Sequence, residues 1–472
     1  MTSLFCIILF VHLATVHSLF HRYPKINLGE PDGEDTGSPL FLTPYIESGN
    51  ITIARTLARV PFTESLRIKS YAGFFTVDKK YNSNQFFWYF PAMISDKKNA
   101  PVIVWLQGGP GASSLYGLFE ENGPLRVRDK RFERRKYNWA LSHHIIYIDN
   151  PVGTGFSFTD DPKGYCIDQT QVGEHLYSTL IQFFQLFPEL QNNKFFITGE
   201  SYAGKYVPSL AYTIYKKNPT AEIKINLKAL AIGNGLSDPE HQLIYSKYLY
   251  QIGLIDWNQA SIFADAESKA IELIKQEKWN EAFNAFDTLL NGDMIDGKSI
   301  FYNMTGFDFY FNFLHTKDYN NDDFGPMLQS SFVRKSIHVG NLTFHDGKEV
   351  EEHLKQDVMK SVAPWISELL DHYYIVVYNG QLDIIVAYPL TLNYLRNLNF
   401  TGANEYRSAK RYQWYVDGEL AGYIKQGGKL VEIMVRNAGH MVPGDQPKWA
   451  LDMITRLTHE KTFSREHNIW KP

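Results

Sequence analysis

The chain has 472 residues, of which 44% are hydrophobic and 21% charged, an ordinary globular composition with ample material for a core. A formal net charge of −4 gives no electrostatic basis for binding nucleic acid. With two cysteines, Cys6 and Cys166, and no Cys/His spacing or HExxH segment of the zinc type, the sequence excludes a disulfide scaffold and predicts no metal site.

In chain order, Leu4 to Val16 is an apolar run too short to span a bilayer. Val16 and Ser18 are small residues before a cleavage point, so residues 1–18 resemble a secretory signal peptide, and no later stretch reads as a membrane span. Four Asn-x-Ser/Thr sequons follow, at Asn50, Asn303, Asn341 and Asn399. They predict a glycoprotein of the secretory pathway, secreted or delivered to a lysosomal or endosomal compartment. Cys166 is then alone in the mature chain and reads as a buried apolar residue.

Residues 19–61, rich in Gly, Pro and acidic side chains, read as an irregular arm or pro-segment. Residues 62–237 read as the first part of a core. Tyr71 to Val77 and Phe86 to Phe90 form paired strands around a polar turn, followed by strands at Val102 to Leu106, Ile145 to Ile148, Phe195 to Ile197 and Leu230 to Ile232. Arg126 to Lys136 carries seven basic residues and reads as a solvated loop, with a proteolytic processing site as the alternative. His143 and His144 point to opposite sides of a strand and make a poor chelating pair. Residues 238–362 change character, amphipathic and helical around Gln259 to Leu290, then aromatic and polar from Phe301 to Phe313; they read as an inserted, largely helical cap. Residues 363–472 return to the core with strands at Tyr374 to Tyr378 and Val431 to Val435. The alternation predicts an α/β fold with a mostly parallel central sheet flanked by helices.

The chemistry concentrates at the ends of these strands. Gly199-Glu200-Ser201-Tyr202-Ala203-Gly204 lies between an apolar run, Lys194 to Thr198, and a predicted helix, Lys205 to Tyr215. G-x-S-x-G between a strand and a helix is the nucleophile elbow of an α/β-hydrolase, with Ser201 exposed above the sheet on a tight turn. Such a serine needs a base and an orienting acid, in the chain order Ser, acid, His. Asp383 and His440 each follow a late strand, where loops at the carboxyl ends of parallel strands converge. Trp105-Leu106-Gln107-Gly108-Gly109-Pro110-Gly111 follows an earlier strand, and the Gly109 and Tyr202 N–H groups are the predicted oxyanion hole.

Four segments together resemble the serine carboxypeptidase family: residues 199–208 (GESYAGKYVP), 105–111 (WLQGGPG), 149–157 (DNPVGTGFS) and 439–443 (GHMVP). The similarity runs from about Tyr71 to Leu457. Gln107, residues 337–341 (IHVGN) and 378–386 (YNGQLDIIV) resemble its vitellogenic-like branch. The resemblance implies release of C-terminal residues from peptides or proteins with a free C-terminus, through an acyl-enzyme. It implies Gln107, Gly108, Glu121 and Glu200 as ligands of the substrate carboxylate, and Met441 near the pocket of the departing residue. Glu120 is the competing register for Glu121. Paired carboxyls cannot both ionise cheaply, so binding an anion there calls for a shared proton and favours acidic pH. No metal or organic cofactor is implied, and a homodimer is a possible assembly. Two features depart from the family: Gln107 stands where much of it has Asn, and the usual cap cysteines are missing. An acyltransferase, or a non-catalytic storage, protective or binding protein on the same scaffold, are the alternatives.

Overall fold

The computed structural model describes residues 26–294, 297–318 and 324–463; the predicted signal segment, residues 1–18, lies outside them. Ten strands among these residues form one sheet: β1 (Tyr71–Asp78), β2 (Ser83–Phe90), β3 (Val102–Leu106), β4 (His144–Ile148), β5 (Phe195–Glu200), β6 (Leu227–Gly233), β7 (Tyr374–Gly380), β8 (Arg411–Val416), β9 (Glu419–Gly427) and β10 (Leu430–Val435). Their spatial order is β1-β2-β4-β3-β5-β6-β7-β10-β9-β8. The six central strands, β4 to β10 in that order, run parallel, and an antiparallel pair extends each edge. Strands β3, β4 and β10 are buried along their whole length, as their apolar runs predict for a sheet covered on both faces. The parallel α/β architecture predicted from the sequence is the one observed.

Helices α1 (Gln169–Leu186) and α2 (Ala203–Lys217) cover one region of the sheet, α2 starting directly behind Ser201. The inserted segment supplies α3 (Trp257–Lys275), α4 (Trp279–Phe286) and α5 (Lys348–Val358). Asp256 and Gln259 close a reciprocal capping box at the start of α3.

Three regions differ from the sequence reading. The stretch expected to be irregular carries helices Thr43–Glu47 and Ile51–Leu57, because Leu42, Ala54 and Ala58 bury completely and Leu42 N–H donates to Phe74 O of β1 at 2.9 Å. The basic loop is instead an antiparallel hairpin, Leu125–Arg128 with Arg131–Arg134. Asp129 and Lys130 turn it with φ of 50° and 57°, and Phe132 anchors it 5.0 Å from the Phe62 ring. Strands β8 and β9 escaped notice because they are polar and half exposed; Asp417-Gly418, both at positive φ, joins them in a tight hairpin.

His143 and His144 are both buried and face different partners. His143 lies against Trp139 O and Thr458 Oγ1, His144 against Tyr89 Oη and Lys97 O. Burial holds both imidazoles below their usual pKa, His143 at about 3. Cys166 is buried and forms no disulfide, and burial pushes its thiol up, as in a structural cysteine.

Candidate active site

Ser201 occupies the turn between β5 and α2 with φ of 62°, a left-handed conformation that non-glycine residues rarely adopt. Ser201 N–H donates to Gly233 O of β6 at 2.9 Å, and Leu236 N–H donates to Ser201 O at 3.0 Å, so neighbouring backbone holds the strained residue. The flanking glycines are steric requirements. A Cβ on Gly199 would lie 2.7 Å from Leu106 O, and one on Gly204 2.8 Å from the Gly235 backbone. The Gln107–Gly111 loop packs equally tightly, since a Cβ on Gly108 would lie 2.5 Å from Tyr202 N. Gly109, Ser201 and Tyr202 line one cavity, with Gly109 at φ of 110°.

Asp383 and His440 meet as fully buried partners, with His440 Nδ1 2.8 Å from Asp383 Oδ2. Asn234 Nδ2 donates to the same oxygen at 2.7 Å and Val386 N–H at 3.3 Å. A carboxylate oxygen accepts from Nδ1–H, which leaves Nε2 as the basic ring nitrogen. Two loops hold this pair. Leu382 N–H donates to Ala438 O, and a Cβ on Gly380 would lie only 1.8 Å from Gly439 O. The aromatic segment around Phe311 packs against the pair: His440 N–H donates to Phe311 O at 2.6 Å, and the Phe311 and His440 rings are 5.1 Å apart.

A second buried cluster gathers Gln107, Glu121 and Glu200. Gln107 Nε2 donates to Glu121 Oε1 at 2.9 Å and to Glu200 Oε1 at 3.3 Å. Its orientation is fixed from behind, because Trp105 Nε1–H donates to Gln107 Oε1 at 2.8 Å. Gly117 makes room for that contact, since a Cβ there would lie 2.2 Å from the indole nitrogen. Glu121 ends a wide helical turn, Gly117–Glu121, closed by Asn122 N–H to Gly117 O. Burial pushes the Glu121 carboxyl up to about 7, while hydrogen bonds from Glu200 and Gln107 partly oppose the rise. Glu121 is 1% exposed and Glu200 0%, whereas Glu120 is half-buried. Buried Met441 approaches the same region: a Cβ on Gly444 would sit 3.8 Å from both Met441 Cβ and Glu121 Cγ.

The described residues thus hold a serine on a strained turn beside a cavity, a buried histidine–aspartate pair, and two buried carboxyls bridged by an amide. Comparison with known proteins gives this chemistry its family. The serine carboxypeptidase family profile matches residues 61–460. This chain belongs to the serine carboxypeptidases. It is 58% identical over 434 residues to a venom serine carboxypeptidase of Apis mellifera, covering 91% of this chain and 93% of the relative. It is 48% identical over 453 residues to a vitellogenic carboxypeptidase of Aedes aegypti, covering 94% and 95% of the two chains. A prohormone-processing carboxypeptidase of Saccharomyces cerevisiae superposes with a TM-score of 0.71 at 25% identity, covering 86% of this chain and 95% of the other. The protein is a serine carboxypeptidase hydrolase of the vitellogenic-like branch.

In this carboxypeptidase several contributors had escaped the sequence reading. Asn234 looks like a turn residue in an Ile-Gly-Asn-Gly run, although it follows β6 at the same sheet edge as the other site residues. Trp105 reads as a core residue of β3 until its indole is seen on Gln107. Residues 238–362 are tied to the rest of the site by hydrogen bonds, Tyr248 Oη–H to Asp383 O at 2.8 Å and Tyr245 Oη–H to Ile385 O at 2.6 Å, and by an ion pair from α2, Lys205 Nζ 3.2 Å from Asp357 Oδ2. Asn50, Asn303, Asn341 and Asn399 are all exposed. Among the described residues no helix is long and apolar enough to cross a membrane, and no group of three or more His, Cys, Asp or Glu side chains is placed to hold a metal.

Proposed function

We propose that this carboxypeptidase acts through Ser201, His440 and Asp383, and recognises the substrate's terminal carboxylate through Gln107, Gly108, Glu121 and Glu200. Ser201 Oγ bonds to the last peptide carbonyl carbon while His440 Nε2 takes its proton. The oxyanion lies at the Gly109 and Tyr202 N–H groups, each worth about 3 kcal/mol of transition-state stabilisation. The C–N bond then breaks, His440 returns the proton to the leaving amine, and the terminal residue departs past Met441. Water, deprotonated by His440, hydrolyses the acyl-enzyme. Asp383 holds the imidazole in the tautomer that makes Nε2 the base.

The observation that carries the carboxylate assignment is the buried amide bridge from Gln107 to two carboxyls, one of them raised to about 7. A substrate carboxylate finds a carboxyl O–H donor there, and only one competing negative charge, when the pair holds a proton. Binding therefore weakens as pH rises through about 7, the value for Glu121. The same reading places the enzyme in the secretory pathway, secreted or lysosomal, with the four exposed sequon asparagines as glycosylation sites.

The test is the pH dependence of kcat/KM on a blocked dipeptide, measured from pH 4 to 8 with wild type and Glu121→Gln. The wild-type profile falls about tenfold per unit above pH 7, and the variant loses that limb. An unchanged alkaline limb in Glu121→Gln contradicts the assignment.

A further inference from the structure

Gln107, Glu200 and Tyr378 occupy one row across the sheet. Leu106 pairs with Gly199, which sets Gln107 beside Glu200; Glu200 pairs with Gly233 of β6, and Gly233 with Tyr378 of β7. Residues paired in register point to the same face, so Gly233 leaves a gap in the row that carries the carboxylate cluster. The Tyr378 ring fills that gap. A Cβ on Gly233 would lie 2.3 Å from Tyr378 Cζ and 2.5 Å from its Oη, so the hydroxyl end has crossed from β7 to the strand adjoining Glu200.

The backbone of Tyr378 is held as well: Asn234 N–H donates to Tyr378 O at 2.8 Å, and the Asn234 side chain holds Asp383. Tyr378 is fully buried, yet its Oη has no hydrogen-bond partner among the described residues. A buried hydroxyl without a partner is destabilising, and phenylalanine would avoid that cost. Burial, and then the charges of Glu200 and Glu121, hold the phenol well above its ordinary pKa, so it stays an O–H donor across pH 4 to 8.

We infer that Tyr378 is a positioning residue of the carboxylate site, its O–H turning to a Glu200 oxygen once the proton shared by the two carboxyls is engaged elsewhere. In the free pair the Glu121 and Glu200 side chains hydrogen-bond to each other. A substrate carboxylate accepts the shared O–H, which breaks that bridge, and the phenol donates to Glu200 in its place. No proton changes owner; one hydrogen bond replaces another. The same donor serves the fully ionised pair at higher pH, so its loss raises the pair's pKa. The other ionisable groups acting on the pair are His440, Asp445, Arg135, Tyr116 and Tyr147, and removing the Tyr378 hydroxyl leaves all of them in place. The inference rests on the reading of Gln107, Glu121 and Glu200 as the carboxylate site.

The test is Tyr378→Phe, which removes one oxygen and no existing hydrogen bond. Wild type and variant are assayed on a blocked dipeptide acid and its C-terminal amide from pH 4 to 8, and both proteins are melted. In the variant, KM for the free acid rises about tenfold with kcat little changed, while the low rate on the amide stays the same. The alkaline limb of kcat/KM moves up by about half a unit. Tm equals or exceeds that of wild type, because an unpartnered hydroxyl has gone. An unmoved KM and limb, or a lower Tm with acid and amide losing activity together, overturns the inference. Glu121→Gln separates it from the reading beneath it. If that variant loses the alkaline limb while Tyr378→Phe matches wild type, the inference alone falls; if Glu121→Gln keeps the limb, both fall.

Discussion

The two sides of Ser201 are built from different parts of the chain. On one side, Gln107, Glu121 and Glu200 come from the loop after β3, the wide turn Gly117–Glu121 and the end of β5. On the other side, Phe283, Phe286, Asn291 and Glu351 come from the inserted helices. The first side is wired by hydrogen bonds of 2.8 to 3.3 Å among fully buried groups, from the Trp105 indole through Gln107 to both carboxyls. The second is mainly apolar, lined by Tyr245, Phe283, Phe286 and Tyr310. The contrast teaches a division of construction: the polar, hydrogen-bonded side comes from the strand ends, and the apolar side from segments between β6 and β7.

That division breaks most visibly at the base. Asp383→Asn leaves the shape intact but replaces an oxygen acceptor facing His440 Nδ1 with an amide that can donate, reversing the tautomer. We expect kcat to fall about 10⁴-fold for every substrate, with KM little changed. A loss confined to some side chains would tie Asp383 to selection instead of chemistry.

Gln107→Leu sharpens the comparison from the carboxylate side. It removes the donor to Glu121 and Glu200 and strands the Trp105 N–H. Hydrogen bonds to charged groups are worth about 1.5–3 kcal/mol, so kcat/KM for free acids falls roughly 10- to 100-fold. Amidated substrates, which do not use the cluster, lose little. Equal losses for acid and amide would show that Gln107 acts on the fold alone.

The smallest effect is on stability. Burial raises Glu121, Asp149, Glu267 and Asp287 each to about 7, against ordinary values of 4.5 for Glu and 3.8 for Asp. Between those values and about 7 the unfolded chain has released protons that the folded chain retains. Unfolding therefore releases protons, and stability falls as pH rises through that window. We expect Tm to drop by roughly 5 °C or more from pH 5 to 8. A Tm that rises over this range contradicts the burial of these groups as neutral acids.

The same division explains what the sequence disclosed. The parallel strands were legible because burial on both faces demands continuous apolar runs, as in Val102–Leu106. The elbow was legible because close backbone approach at Gly199 and Gly204 leaves room only for glycine. Strands β8 and β9 were not, since this partly exposed antiparallel pair at the sheet's end carries polar residues like a loop. Nor was Asn234, whose contact with Asp383 depends on which distant segments the fold brings together. The hidden helices before β1 had the same cause: short apolar contacts, Leu42 and Ala54, lie within a polar composition.

The most direct measurement of the central claim compares a blocked dipeptide bearing a free C-terminal carboxylate with its C-terminal amide, from pH 4 to 8, using wild type and Ser201→Ala. The account predicts release of the terminal residue that is strongest in acid, poorly supported by the amide and abolished in the variant. Equal hydrolysis of acid and amide, or turnover that survives Ser201→Ala, would contradict it.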